Sequence, residues 1–129
     1  MIFNNKTVII TGGSEGVGAA TARKFAEAGA NLMLIARDKK KLELIAEELR
    51  DKTKVEIFPM DVSDPDACVD VFKKALFEFG RVDVLINNAG YHKRGLVEDV
   101  SAADLATMID VNLKAPIMLS RIEIGRAHV

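Results

Sequence analysis

The stretch that decides the fold is "VIITGGSEGVGAATA", residues 8–22, in which an apolar run leads directly into a glycine-rich loop. Gly12, Gly16 and Gly18 lie between that run and a segment with the composition of a helix. A glycine at the end of a strand permits a tight turn, a second lets the backbone approach a pyrophosphate, and a third lets the helix pack closely. The N-terminal amides and the dipole of that helix would then point at the phosphates. The stretch therefore predicts a dinucleotide-binding loop.

Short β-rich runs and helical patterns alternate along the rest of the chain. The β-rich runs are residues 7–10, 31–36, 54–61 and 82–89. Three of them are almost continuously apolar, as is typical of strands buried on both faces of a parallel sheet, whereas "KVEIF" alternates and should lie less deeply. The alternation predicts βαβ units and an α/β fold, a doubly wound parallel sheet of the Rossmann type, truncated after about four βα units.

The helical patterns carry their own start and stop signals. We expect Gly29 to end the first helix, Asp38 to cap the second, and Ser63 or Asp64 to cap the third. A fourth helix should open at Ser101. The buried stripe predicted for the third helix consists of Val69, Phe72, Ala75, Leu76 and Phe79.

The composition indicates one globular domain and excludes several classes of function. The 129 residues are 49% hydrophobic and 29% charged, with a net charge of −1, so no basic surface indicates nucleic acid or membrane as a partner. The single cysteine, Cys68, fits a reducing compartment and a packing role. Neither a signal peptide nor an apolar run of about 18 residues is evident. We therefore expect a cytoplasmic protein.

Four short motifs, in order, resemble those of the short-chain dehydrogenase/reductase family. They are "TGGSEGVG" at 11–18, "MDV" at 60–62, "VLINNAG" at 84–90 and "DVNLKAP" at 110–116. The resemblance implies a nicotinamide cofactor and an oxidoreductase that transfers a hydride between that cofactor and an alcohol or carbonyl substrate. The cofactor-binding residues that it implies are Thr11, Gly12, Ser14, Gly16, Val17, Gly18, Asp61, Val62, Asn88, Ala89 and Gly90. For the neighbouring Asn87 we favour a structural role, in which its amide ties neighbouring strand ends together.

The residues after the second strand bear on the choice between NADP(H) and NAD(H). An acidic residue about 20 positions past the loop suits a ribose 2′-hydroxyl, whereas an arginine suits a 2′-phosphate. Here Arg37 occupies that region, which favours NADP(H). NAD(H) stays the alternative, because Asp38 is either a helix cap or a ribose-binding acid, and because Glu15 brings no basic charge to the glycine loop. The run Lys39–Lys41 is interpreted as an exposed helix face.

Asn112 is the candidate catalytic residue. Pro116 has no N–H, so within a helix it leaves the carbonyl of Asn112 without its usual donor and available to hold a water. By resemblance, the family's helix asparagine keeps a water in a proton relay that reaches a catalytic lysine. We therefore expect Asn112 to be a relay residue.

The family's remaining catalytic residues, a serine and a Tyr-x-x-x-Lys pair, have no match in the chain. Tyr91 directly follows the NNAG motif and has Gly95, not lysine, four positions later, so it is interpreted as a contact of the substrate pocket, of which Tyr91–Leu96 would form one wall. We expect the chain to be inactive alone and to belong to a longer enzyme, itself a homo-oligomer. The alternative is a non-catalytic nucleotide-binding or regulatory protein with the same fold.

The chain ends in "EIGRAHV", residues 123–129, which resembles a translated sequencing adapter. We therefore expect a domain of residues 1–122, the cofactor-binding half of a dehydrogenase, followed by a non-native tail. No metal site is expected, because His92 and His128 have no acidic or cysteine companions at ligand spacing.

Overall fold

The computed structural model of the chain describes residues 2–90, 101–114, 116–117 and 119–120. The elements in chain order are β1 Thr7–Thr11, α1 Gly16–Glu27, β2 Asn31–Ala36, α2 Lys39–Leu49, β3 Val55–Pro59, α3 Pro65–Phe79, β4 Val84–Ile86 and α4 Ala102–Ile109. A π-helical turn, Asp110–Lys114, follows α4 without a break. The expected pocket wall Tyr91–Leu96 and the expected tail at 123–129 lie outside the described residues, and both stay predictions.

The four strands form one parallel sheet in the order β3-β2-β1-β4. The chain winds outward from β1 to β3, then crosses to the other side of β1 to form β4, so the direction of winding changes between β1 and β4. In open α/β sheets, the crevice at such a switch point, outside the carboxyl ends of the strands, is the usual place for a ligand. The predicted doubly wound sheet is confirmed, and β3 is only partly buried, as its alternating sequence predicted.

Alternating strand residues supply a core on each face of the sheet. Val8 and Ile10 of β1 pack with the apolar residues of α1 and α2, whereas Ile9 packs on the opposite face with those of α3. In β2, Leu32 and Leu34 pack on the face with α1 and α2, and Met33 and Ile35 pack on the face with α3. All four side chains are fully buried. Each such side chain contributes about 1.5–3 kcal/mol when removed from water, so both faces of the central strands hold the sheet in place.

The predicted helix boundaries are largely confirmed. The Asp38 carboxylate accepts from the Lys41 N–H at the start of α2, and Asp64, not Ser63, caps α3. Ser101 caps α4, and its hydroxyl accepts from the main chain one turn later. Gly29, after α1, has a φ of 89°, in the left-handed region that a C′ glycine adopts.

The buried stripe predicted for α3 is partly wrong. Val69 and Leu76 are 42% and 36% exposed, while Cys68 and Val71 are fully buried. Phe72 and Ala75 were correctly placed in the core, which also accommodates Cys68 as the small packing residue expected. The helix buries positions spaced i, i+3, i+4 and i+7 from Cys68, and the apolar residues one position later fall on its flank.

Candidate functional site

A cleft of about 460 Å³ opens at the carboxyl ends of β1, β2 and β4. It lies at the switch point of the sheet, where open α/β sheets usually bind their ligands. Of the residues implied by the sequence motifs, those that line the cleft are Gly12, Ser14, Arg37, Asp61, Val62, Asn88, Ala89 and Gly90. Those that lie outside its wall are Thr11, Gly16, Val17, Gly18 and Asn112. The fold thus brings together residues separated by up to 78 positions in sequence.

The glycines of the loop meet two different steric demands. Gly12 and Gly16 have φ values of 65° and 57°, which side-chain-bearing residues adopt only with strain. A Cβ on Gly16 would meet open space. A Cβ on Gly18 would overlap the Gly12 carbonyl oxygen and lie 2.7 Å from Nδ2 of Asn88. The start of α1 therefore packs against the loop and the end of β4 at a distance that only glycine allows.

The buried Thr11 hydroxyl fixes the end of β4 to the end of β1. It accepts hydrogen bonds from the main-chain N–H groups of Asn88 and Ala89, both at 2.9 Å, and donates to the Ile86 carbonyl at 3.4 Å. The side-chain amide of Asn88 donates to the Gly12 carbonyl at 3.3 Å. Thr11 itself is only 2% exposed, so its side chain lies beneath the cleft and positions the main chain of Asn88 and Ala89, which line it.

The strand-end tie that we expected of Asn87 is made by Asn88 instead. The side-chain amide of Asn87 donates to the Ser120 hydroxyl at 3.2 Å, which links β4 to the helical residues after the π-turn. The two consecutive asparagines thus reach different partners, Asn87 the helical segment and Asn88 the main chain after β1. Sequence alone gave no signal for a partner 33 residues away.

No side chain caps the start of α1, in contrast to the other three described helices. Its N-cap residue, Glu15, makes no side-chain cap hydrogen bond, and its first turn contains no acidic residue. Helix starts carry amide groups without intrahelical partners and a partial positive charge. Since the loop before α1 lines the cleft, this helix start can hold an anion there.

The mouth of the cleft is charged, and it includes an ion pair that the sequence did not predict. Lys41, interpreted as part of an exposed helix face, lines the cleft and its Nζ lies 2.9 Å from Oε2 of Glu15. The hydrogen bond that Lys41 donates to the Glu15 carboxylate is the main reason that the pKa of Lys41 is raised. The two residues are 26 positions apart and come together only because α2 lies beside the glycine loop. Arg37, at the end of β2, lines the same mouth.

Asp61 contributes a carboxylate held in its ionised form. The main-chain N–H of Ser63 donates to its Oδ1 at 2.9 Å and the Ser63 hydroxyl donates to the same oxygen at 2.7 Å. These bonds lower the pKa of Asp61, and the charge of Arg37 lowers it further. Asp61 therefore brings a stable negative charge to the wall of the cleft beside Val62.

Asn112 lies within the π-helical turn, beside the end of the NNAG motif. A Cβ placed on Gly90 would be 3.6 Å from its side-chain oxygen, Oδ1. The wider turn of a π-helix, common at functional sites, occurs where Pro116 prevents the regular hydrogen bond to residue 112. The relay role of Asn112 stays a prediction.

Other kinds of site find little support in the described part of the chain. Within residues 2–90, 101–114, 116–117 and 119–120, no group of three His, Cys, Asp or Glu side chains is placed to hold a metal ion. Among the helices described, none has the length and hydropathy needed to cross a bilayer.

Comparison with known proteins gives the same family throughout. Residues 6–124 match the sequence profile of the family described as short chain dehydrogenase. The chain is 39% identical over 111 residues to a 3-oxoacyl-acyl-carrier-protein reductase of Chlamydia muridarum, covering 84% of this chain and 45% of the reductase.

Solved structures agree with the fold. A metagenomic short-chain oxidoreductase in complex with NADP superposes with a TM-score of 0.88 at 36% identity, covering 94% of this chain and 56% of that one. L-Sorbose reductase from Gluconobacter frateurii, complexed with NADPH and L-sorbose, gives a TM-score of 0.87 at 30% identity, covering 94% and 47%. The chain thus spans about half the length of these relatives.

Proposed function

The chain belongs to the short chain dehydrogenase family, and on that premise we propose that it is the cofactor-binding half of an NADP(H)-preferring oxidoreductase. The complete enzyme would transfer a hydride between NADP(H) and an alcohol or carbonyl substrate. The observation that carries the proposal is the cleft at the switch point of the sheet, lined by a glycine loop that leads into a helix start without a side-chain cap.

The residues around the cleft fit a dinucleotide. Backbone amides of the loop and of the first turn of α1, near Gly16 and Val17, are proposed to bind the pyrophosphate, because the space beside Gly16 is open and the amides at a helix start carry a partial positive charge. Asp61 and Val62 would contact the adenine, and Asn88–Gly90 the nicotinamide ribose. When bound, the cofactor supplies or accepts the hydride; the chain's residues orient it.

The preference for NADP(H) is proposed from Arg37. It lines the mouth of the cleft at the end of β2, and a guanidinium can hold a 2′-phosphate through two charge-assisted hydrogen bonds. Two structural relatives at 36% and 30% identity were solved with NADP or NADPH, which supports the same choice here.

The proton-transfer part of the reaction is proposed to be incomplete in these 129 residues. Asn112, beside Gly90, would position a water in a relay, but the chain contains no Tyr-x-x-x-Lys pair to deliver the proton to an alkoxide. We therefore expect no turnover from this chain alone. The complete enzyme is proposed to be a cytoplasmic homo-oligomer acting on a small molecule. Its gene is expected to encode Tyr-x-x-x-Lys in frame beyond codon 122, and an in-frame continuation without that pair would instead favour a non-catalytic nucleotide-binding protein.

Calorimetric titration of the chain with NADP⁺ and NAD⁺ tests the binding proposal. We expect NADP⁺ to bind more tightly, and Arg37→Ala to weaken NADP⁺ binding about tenfold through the loss of charge-assisted bonds. Arg50→Ala is the matched control, because Arg50 is an exposed arginine at the far end of α2, outside the wall of the cleft. Equal affinity for the two nucleotides, unaffected by Arg37→Ala, would contradict the preference for NADP(H).

A further inference from the structure

Five charged side chains surround the mouth of the cleft, and negative charge predominates. The cleft is lined by three carboxylates, Glu15, Asp38 and Asp61, and by two cations, Arg37 and Lys41. A phosphate monoester adds about −1.5 to −2 charges at neutral pH. A cofactor with a 2′-phosphate therefore enters a site whose cations already have negative neighbours.

Those carboxylates differ in how firmly they are held. The Asp38 carboxylate accepts from a main-chain amide as the cap of α2, and Asp61 is held by both donors of Ser63. Glu15 has no such backbone anchor: its carboxylate accepts a hydrogen bond from the ammonium group of Lys41 at 2.9 Å, and its side chain is 69% exposed. Lys41 is 49% exposed, so both side chains have room to move apart.

We propose that Glu15 is an internal counter-ion of Lys41 that the 2′-phosphate of the cofactor must displace, and that Glu15 thereby sets how strongly the site prefers NADP(H) over NAD(H). The proposal rests on the proposed function and identifies a specificity-determining pair that acts beside Arg37. In the nucleotide-free chain, Lys41 binds Glu15; with a 2′-phosphate present, Lys41 turns to the phosphate and Glu15 moves into solvent.

The charges favour displacement of Glu15 by the phosphate, but they do not remove its repulsion of the phosphate. Exposed ion pairs between long side chains are weak, so Glu15 is readily displaced by a group with more charge. A carboxylate that stays within several ångströms of the phosphate still repels it, since charges at protein surfaces interact at an effective dielectric constant near 20. Glu15 therefore lowers affinity for NADP(H) in two ways, by occupying Lys41 and by direct repulsion. NAD(H), which lacks the 2′-phosphate, avoids both effects.

The test is the ratio of the dissociation constants for NAD⁺ and NADP⁺, measured by calorimetry on the full chain at low ionic strength. We expect Glu15→Gln to raise this ratio about three- to tenfold and Lys41→Gln to lower it by a similar factor. When Lys41 is already replaced by glutamine, Glu15→Gln should raise the ratio less than it does in the wild-type chain, because part of its effect comes from freeing Lys41. Raising the salt concentration should reduce all these changes.

Glu48→Gln is the matched control. Glu48 of α2 pairs with Arg23 of α1 at 2.7 Å, and both side chains are about half exposed, but the pair lies outside the wall of the cleft. Its replacement should leave the ratio unchanged. Far-UV circular dichroism of each variant checks that the fold is retained.

The outcomes distinguish failure of the counter-ion proposal from failure of the proposed function. If the wild-type chain prefers NADP⁺ but Glu15→Gln leaves the ratio unchanged, the counter-ion proposal fails and the proposed function stands. If Glu48→Gln raises the ratio as much as Glu15→Gln does, the effect is one of overall charge and the counter-ion proposal again fails. If the wild-type chain binds neither nucleotide, the proposed function fails, and the counter-ion proposal falls with it.

Discussion

Substitution of Gly18 by alanine tests the close packing of α1 against the glycine loop that lines the cleft. The new Cβ would overlap the Gly12 carbonyl oxygen and approach Nδ2 of Asn88 to 2.7 Å. Overpacking a tight contact costs about 1–3 kcal/mol, and the upper end applies because one partner is backbone that belongs to the loop. Alanine regains about 1 kcal/mol of helix propensity. We therefore expect a net loss of about 2 kcal/mol in the free energy of unfolding.

Urea unfolding followed by far-UV circular dichroism measures this loss. The chain has no tryptophan and one tyrosine, so helix content is a better signal than intrinsic fluorescence. For a chain of this size, about 2 kcal/mol corresponds to a decrease in Tm of about 8 °C.

Gly16→Ala is the informative comparison for Gly18→Ala. A Cβ at Gly16 meets open space, so only its φ of 57° opposes the substitution, at about 1–2 kcal/mol. If Gly18→Ala were as stable as the wild type, or more stable as propensity alone predicts, α1 would not pack against the loop as described.

Three further predictions concern stability and reactivity. Thr11→Val removes the hydroxyl that accepts from two main-chain amides after β4, and should lower the free energy of unfolding in urea by about 1–3 kcal/mol. Thr21→Val, on α1, is the control and should cost less than about 1 kcal/mol. Equal losses would contradict the role of Thr11. The hydrogen bond that Arg81 donates lowers the pKa of Asp83 in the folded chain. Asp83 therefore stabilises the fold fully above its unfolded-state pKa of about 3.9, and this stabilisation is lost as the pH falls through the lower folded-state pKa. Asp83→Asn should therefore be less stable than the wild type at pH 7, with a difference that shrinks in acid; a difference independent of pH would contradict this. Cys68 is fully buried and burial raises the pKa of its thiol, so a thiol reagent such as DTNB should react with it slowly in buffer and rapidly in urea; fast labelling of the folded chain would show that this face of α3 is not packed against the sheet.

Sequence patterns predicted the fold well because its signals are local. Continuous apolar runs identify the strands that are buried on both faces, and caps such as Asp38 and Gly29 depend on residues within one turn. The error in α3 has a physical origin. Apolar residues at 69 and 76 have helical spacing too, and only the tertiary contacts decide that the face containing Cys68 is buried.

The candidate site was predictable where a motif is continuous and unpredictable where distant segments meet. The glycine loop and the NNAG segment gave Gly12 and Ala89, which line the same cleft. The pair of Glu15 and Lys41 carried no sequence signal, because 26 residues and a helix–loop contact separate the partners. The burial of Thr11 was equally hidden, since a motif shows which residues belong together but not which of them faces the ligand.

A ¹⁵N-HSQC titration of the chain with NADP⁺ tests most directly whether this cleft binds the cofactor. We expect the shift changes to concentrate on the amides of Gly12, Ser14, Asp61, Ala89 and Gly90, all of which line the cleft. The amides of 43–50 on the far part of α2 should move little. Shifts confined to those distant amides, or no shift in the cleft at millimolar NADP⁺, would contradict the assignment of this cleft to the cofactor.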